Sequence, residues 1–345
     1  MSTEPALRPE LDTLIFDMDG VLVDVSGSYR QAIIQTVDLF FVEGLGLAYG
    51  GQVSPLINND DIDFLKQAGG FNNDWDMTTA FIIYFLEMLP PQSVITIPTK
   101  IHIPSMLAYL QTIGNNLQVT LEEMRQNKNI PRLALGVAEM GGGLAAVKKL
   151  LKRRNRHLLA AQGSLLEGNL VERIFQELYL GQDLFTDTYH TLPVVVHGPG
   201  LINNESLILK ASILNRLTEQ FKLGIATGRP KREAEYTLNQ LNIAGHFQSL
   251  ITRDDVLAAD GRGKPHPWPL LEAARRIEPS PARCAYIGDT PDDIRAAKEA
   301  NGSLPFLAIG TLASAADPDA LRAHFEALGA DMILRHPNQL ADFLM

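Results

Sequence analysis

The chain has 345 residues, 46% of them hydrophobic, and 40 acidic against 30 basic residues give it a formal charge of −10. That length suffices for two domains with packed cores, and the acidic balance excludes a nucleic-acid binder that works by broad phosphate neutralisation. Residues 1–12 are polar where a signal peptide is apolar, the apolar run 81–89 is too short to span a bilayer, and the single Cys284 excludes an internal disulfide, so a cytoplasmic protein without a membrane partner is expected.

The first predicted element is a strand over 13–17. Leu14-Ile15-Phe16 is an unbroken apolar run of the sort buried on both faces of a parallel sheet, so Asp17 falls where the strand emerges, the edge at which such sheets bind ligands. In an extended backbone Asp17 and Asp19 point to the same side. One carboxylate can then attack an electrophile while its neighbour handles a proton, the division of labour of aspartyl-phosphate chemistry. An Asx turn closing a strand accounts for a bare Asp-x-Asp-Gly as well, so the rest of the chain has to decide.

Residues 25–204 read as a large, mostly helical insertion after that strand. Helical spacing of apolar residues marks 26–43, and 59–68, 77–88, 117–126, 144–152 and 171–180 carry helix patterns too. Residues 90–104, with four prolines, predict a linker, and 193–199 predict the return path. Beyond it, strands at 222–227, 249–252, 284–288, 305–309 and 331–334 alternate with helices at 231–241, 268–277, 291–300, 317–328 and 337–343. The alternation predicts an α/β fold, a Rossmann-like parallel sheet core with helices on both faces built from 1–24 and 205–345, plus a mainly α-helical domain inserted after the first strand.

Three further signals sit at the ends of predicted core strands. Thr227 closes one strand and is followed by Gly228-Arg229-Pro230, which places a hydroxyl and backbone N–H groups where an anion can be held, although a helix N-cap has the same look. Lys264 lies between Gly263 and Pro265, in a loop whose prolines favour an extended backbone that can aim an ammonium at a phosphate; alone it would read as a solvated loop lysine. The run Gly288-Asp289-Thr290-Pro291-Asp292-Asp293 combines a strand tip with a helix start. Thr290 as N-cap, Pro291 in the first turn and the acids after it explain Asp292, whereas Asp289 at the tip itself is left for chemistry. Carboxylates gathered there without His or Cys suit a hard, oxygen-loving ion such as Mg²⁺.

Taken in this order, the four segments resemble the haloacid dehalogenase superfamily of phosphohydrolases, over residues 11–24 and from 205 to the C-terminus. The resemblance implies Asp17 as nucleophile, Asp19 as general acid and base, and Thr227, Gly228 and Lys264 as the groups that hold the transferring phosphoryl. It implies Mg²⁺ on Asp289, the Asp17 carboxylate and the Asp19 backbone carbonyl, with Asp293 supporting either the metal or the lysine. The superfamily's dehalogenases fit less well, since they lack an acid two residues after the nucleophile. Members with an insertion at this point carry a helical cap that selects the substrate, and 25–204 is longer than the usual one.

Within that cap, Lys66 to Asp76 is the most site-like piece, where Lys66, Asn72, Asn73 and Trp75 with the glycines between them could meet a substrate. A helix-to-helix connection with Asp74 or Asp76 as N-cap explains the same residues. The basic run 148–157 reads as a solvated helix face, and His266 reads as structural. The expectation is a Mg²⁺-dependent phosphatase of a small phosphorylated metabolite. A phosphomutase, or a non-catalytic binding protein that keeps the fold, are the alternatives.

Overall fold

The computed structural model describes residues 11–71, 73–93, 102–151, 154–277 and 283–344. Asn72, residues 94–101 of the expected linker, and Lys152 and Arg153 of the basic run lie outside the described residues. The chain divides into two compact units, Met1–Val25 with Glu205–Met345, and Ser26–Asn204.

Among the described residues of the first unit, six parallel strands form one sheet: β1 (Thr13–Phe16), β2 (Lys222–Ala226), β3 (Ser249–Ile251), β4 (Cys284–Gly288), β5 (Phe306–Thr311) and β6 (Met332–Leu334), in the order β3-β2-β1-β4-β5-β6. Because side chains alternate across a strand, Leu14 and Phe16 enter one apolar cluster and Ile15 the other. The first cluster takes Leu214, Leu217, Leu238 and Leu340, and the second takes Leu270, Ala274, Ile294 and Phe325. These residues belong to different helices, so the sheet is covered on both faces. β1 needs an apolar run because it lies between β2 and β4 and between both helical layers.

The strand order reverses at β1, and parallel sheets of this kind bind ligands outside the carboxyl ends of the strands at that reversal. A small antiparallel pair, Val23–Asp24 with Ser206–Leu207, sets the segment leaving β1 beside the segment entering at 205. β5 runs through Gly310 to Thr311, past the expected end at 309. A side chain at 310 would put its Cβ 2.3 Å from the ring of buried Phe325, so the glycine is a packing requirement and not a strand terminator. Two short helices, Ala211–Thr218 and Arg253–Ala258, have no counterpart among the expected elements; the second starts on a capping box of Thr252 and Asp255.

The second unit is mainly helical. Tyr29–Leu39 continues as the π-helical turn Phe40–Gly44, and Asn59–Gln67, Asp74–Leu86, Leu121–Gln126 and Gly143–Leu150 match expected helices with shifted ends. Ile103–Gly114 and Ile130–Glu139 are additional helices, and each carries its proline in the first turn, where the missing N–H costs nothing. Proline in 102–104 therefore starts a helix that the linker reading had ended. The helix expected at 171–180 extends over Leu170–Tyr189 with a break at Gly181, whose φ of +73° and approach to Gly200 only glycine permits. Among the described residues no single helix is long and apolar enough to cross a membrane.

Candidate active site

Asp17 follows β1 directly, and its backbone N–H donates to the Ile287 carbonyl at 2.8 Å, which pins the residue beside the end of β4. Thr227 follows β2 and donates to the Ile251 carbonyl in the same manner. Asp289 follows β4. The parallel sheet thus delivers all three to one edge.

Lys264 reaches this edge from the loop between the helices Arg253–Ala258 and Trp268–Ile277. Its ammonium lies 2.8 Å from Asp17 Oδ2, 2.8 Å from Asp293 Oδ1 and 2.9 Å from the Tyr286 hydroxyl, so its three donors have three acceptors. Burial works against the Lys264 charge, but Asp17 and Asp293 outweigh it and hold the ammonium well above the usual lysine range. The Tyr286 hydroxyl in turn donates to the Ala226 carbonyl at 3.0 Å. Burial, with the charges of Asp17 and Asp293, pushes the phenol well up and keeps it neutral.

Asp293 has spent its acceptor capacity. Oδ2 takes the N–H of Asp289 and both the N–H and hydroxyl of Thr290, while Oδ1 takes Lys264. Burial would raise its carboxyl, but Lys264 and the Thr290 bonds bring it below the usual range. Of the two roles left open for Asp293, the contacts are those of a lysine support. Thr290 caps the helix Pro291–Ala300 in a capping box with Asp293, and Asp292 pairs with Arg295 on the exposed face.

Asp17 and Asp289 are less well supplied. Asp17 Oδ1 accepts the Met18 N–H at 2.8 Å, and Asp289 Oδ2 accepts the Ser314 hydroxyl at 2.7 Å. Burial, opposed by Lys264 and reinforced by Asp293, pushes the Asp17 carboxyl up to about 7. Burial, then the charges of Asp293 and Asp17, push Asp289 up to about 8. Ligand oxygens of Asp17, Asp289 and Asp293 lie within 4.8 Å of one another. Three carboxylates therefore crowd together beside one ammonium that pairs with two of them, an arrangement that favours protons or a cation in the gap. Gly20 keeps the gap open: its φ is +73°, and a Cβ there would lie 2.0 Å from Asp289 Oδ2. A hard divalent ion suits this all-oxygen set.

Asp19 takes a different partner from the other acids. Its Oδ1 accepts from Arg229 Nε at 2.6 Å, and Arg229 is held by Glu205 and Thr237. Thr227 Oγ1 accepts the Arg229 N–H at 3.2 Å, and Gly228 beside it is open, with nothing within 4 Å of a Cβ placed there. The residues that sequence reasoning passed over are Arg229, Glu205, Tyr286 and Ser314. Arg229 and Tyr286 stood beside recognised motif residues; Glu205 and Ser314 had no local signal at all.

The expected substrate loop of the insertion has structural partners. Lys66 lies on the exposed last turn of Asn59–Gln67. Asn73, and not Asp74 or Asp76, caps the helix Asp74–Leu86, its Oδ1 accepting the Trp75 N–H at 2.9 Å. Asn in extended geometry leaves both acids in the first turn, where they face the helix dipole favourably. The glycines serve a backbone contact: Gly143 N–H donates to the Gly69 carbonyl at 2.8 Å, and a Cβ on Gly70 would lie 2.7 Å from Gly143 N. His266 Nδ1 accepts the Trp268 N–H, a structural role, and Cys284 is a buried strand residue whose thiol burial pushes up to about 12.

A family model described as a haloacid dehalogenase-like hydrolase matches residues 209–301. The N-acetylmuramic acid 6-phosphate phosphatase of Pseudomonas aeruginosa is 30% identical over 187 residues, 54% of this chain and 71% of that protein. The imidazoleglycerol-phosphate dehydratase of Phytophthora nicotianae is 25% identical over 331 residues; the match takes in 94% of this chain but spans only 50% of that protein's length. An X-ray structure of a structural-genomics target superposes with a TM-score of 0.66 at 21% identity, covering 96% of this chain and 98% of that one, which is a likeness of fold.

Proposed function

The chain belongs to the haloacid dehalogenase-like hydrolases, and from that premise we propose that it is a Mg²⁺-dependent phosphatase that cleaves a small phosphorylated metabolite through a phosphoryl-Asp17 intermediate. The observation that carries this reading is Lys264, half-buried and held between Asp17 and Asp293 at the sheet edge with Asp289 alongside. A lysine so held is a fixed positive charge beside a carboxylate that must meet a phosphate dianion.

In the first step an Asp17 oxygen attacks phosphorus and the bond to the leaving oxygen breaks, while Asp19 gives that oxygen its proton. In the second, Asp19 takes a proton from water as the water oxygen attacks the same phosphorus, and inorganic phosphate leaves with Asp17 restored. Lys264 and the Thr227 and Gly228 loop hold the phosphoryl oxygens throughout. Asp17, Asp289 and the Asp19 carbonyl would hold Mg²⁺, and that ion, when bound, offsets the charge of the phosphoryl oxygens. The gap kept by Gly20, and the two carboxyls pushed up beside it, support that assignment.

The unit Ser26–Asn204 is assigned to substrate choice, with Lys66, Asn73 and Trp75 as the first residues to vary. The phosphatase of Pseudomonas supports a phosphorylated sugar among the substrates to try, and a cytoplasmic setting fits such a metabolite. The test is phosphate release from a panel of esters that includes N-acetylmuramic acid 6-phosphate and an aryl phosphate, with Mg²⁺ and with chelator. Release that needs both the metal and Asp17 upholds the reading. No release from any ester, or release that Asp17→Asn leaves intact, overturns it.

A further inference from the structure

Asp19 is the acid of the site that has no part in the Lys264 cluster, and its partner is itself a buried charge. Arg229 is 2% exposed, Glu205 6% and Thr237 0%. The guanidinium has five N–H donors, and each faces an acceptor. Nη1 donates to Glu205 Oε2 and to Thr237 Oγ1, both at 2.9 Å, and Nη2 donates to Glu205 Oε1 at 3.1 Å. Nε and Nη2 both lie against Asp19 Oδ1, at 2.6 and 2.5 Å. The Thr237 hydroxyl closes the network by donating to Glu205 Oε2 at 2.7 Å.

A buried Arg and Glu pair is poor value as a stability device, because apolar residues of similar volume do as well. What such a pair does supply is orientation. Glu205 grips one edge of the planar guanidinium in a fork, Thr237 fixes its tip, and the remaining edge is presented in one direction, to Asp19. Arg229 follows Thr227 by two residues, so the loop that would hold the phosphoryl group also carries the Asp19 anchor.

We propose that Arg229, locked by Glu205 and Thr237, is the positioning residue for Asp19: it holds Oδ1 and leaves Oδ2, which accepts no hydrogen bond among the described residues, as the oxygen that passes the proton. This rests on the phosphatase reading of the same site. It assigns Arg229 no contact with the substrate, so its loss should act on kcat through Asp19 and leave KM near its value.

Arg229→Lys keeps the charge but cannot fill the fork, and Arg229→Met with Glu205→Met removes the buried pair together, so that one of the two variants keeps the fold. Each is compared with Asp19→Asn and with the combination of both changes, on an alkyl and an aryl phosphate at saturating Mg²⁺. A misplaced proton donor costs about 10²-fold. We expect kcat on the alkyl ester to fall by roughly 10- to 10²-fold, a smaller fall for formation of the phosphoryl-enzyme from the aryl ester, KM within about threefold, and no further loss when Arg229→Lys is added to Asp19→Asn. Multiplicative losses in the combined variant, or equal losses on both esters, would overturn the positioning role while the wild-type phosphatase stands. A wild-type chain that releases no phosphate from any ester overturns the reading beneath it, and this inference with it.

Discussion

Glu177 in the inserted unit and Asp17 in the core are both buried carboxylates, and they are supplied in opposite ways. Glu177 receives the Arg173 guanidinium and the backbone N–H groups of Val194, Val195 and Val196, the last three at 2.8, 2.8 and 3.0 Å. One acid meets one base, and the spare lone pairs are filled by a turn of backbone. At the carboxyl edge of the core sheet Asp17 and Asp293 pair with Lys264 while Asp289 lies alongside without a contact to it among the described residues, and of the three Asp293 is filled as completely as Glu177. A buried acid that has all its donors belongs to the fold; a pair left short of positive charge is a place where something else must bind.

The comparison breaks first at Asp17. Asp17→Asn should abolish metal-dependent phosphate release and leave the chain folded, because Asp17 is the carboxylate that follows β1 directly and pairs with Lys264; turnover at the wild-type rate on a responsive ester would end the nucleophile assignment. Asp19→Asn should cost about 10²- to 10⁴-fold, the range of a positioned acid and base, with a smaller loss in phosphoryl-enzyme formation from an aryl phosphate. Rapid-quench kinetics on good and poor leaving groups separates the two steps.

Glu177→Ala should destabilise by about 3–5 kcal/mol, since Arg173 is left buried without its partner and three N–H groups lose their acceptor. Asp289→Ala should behave the other way, with a metal-free unfolding midpoint no lower than wild type and no rise on adding Mg²⁺. Urea unfolding of both variants, with and without the ion, makes the test direct. Similar midpoint losses in the two would erase the distinction between a satisfied acid and a waiting one.

The pH dependence sharpens the same point. Asp17 and Asp289 keep their protons in the folded chain up to about 7 and about 8, against 3.8 for the ordinary aspartate of an unfolded chain. Between those values the native state binds more protons than the unfolded one, so these two groups lower the stability of the metal-free chain as pH rises from about 4 to about 8. Mg²⁺ should therefore raise the midpoint more at pH 8 than at pH 6, and Asp17→Asn with Asp289→Asn should flatten the slope. The smallest effect is expected in the insertion: Asn73→Ala should cost about 1 kcal/mol as a lost cap, measurable by thermal unfolding. If it also lowers kcat/KM for the best substrate far more than for a featureless ester, the loop has a part in substrate choice beyond its capping.

How much of the site was legible varied with the kind of signal. Asp17, Thr227 and Asp289 stood at strand tips that alternation of apolar and polar runs locates well, and a parallel sheet then carries them to one edge, which Lys264 reaches from the loop ahead of the helix Trp268–Ile277. The N-cap at Thr290 was legible for a similar reason, since it depends on neighbours within three residues, whereas the return bond from Asp293 that completes a capping box was not read. Asn73 was misjudged in favour of its acidic neighbours because all three residue types can cap and only the backbone angles choose between them. The helices at 103–114 and 130–139 were hidden because a proline in a first turn and a proline in a linker look the same along the chain.

By itself, the amino-acid sequence determined the α/β alternation, the insertion after the first strand, and the residue types that meet at the strand tips, because these depend on periodicity and local chemistry. Only the tertiary structure decided how the charges are shared: Asp293 saturated by Lys264 and Thr290, Asp289 faced by Ser314 across the gap that Gly20 keeps, and Asp19 held by an Arg229 that Glu205 orients. Glu205 and Arg229 are 24 residues apart, and Arg229 and Asp19 are 210. No pattern of spacing records such a pairing, because the strength of a buried ion pair depends on distance and desolvation in three dimensions, and the chain sets those only once it has folded.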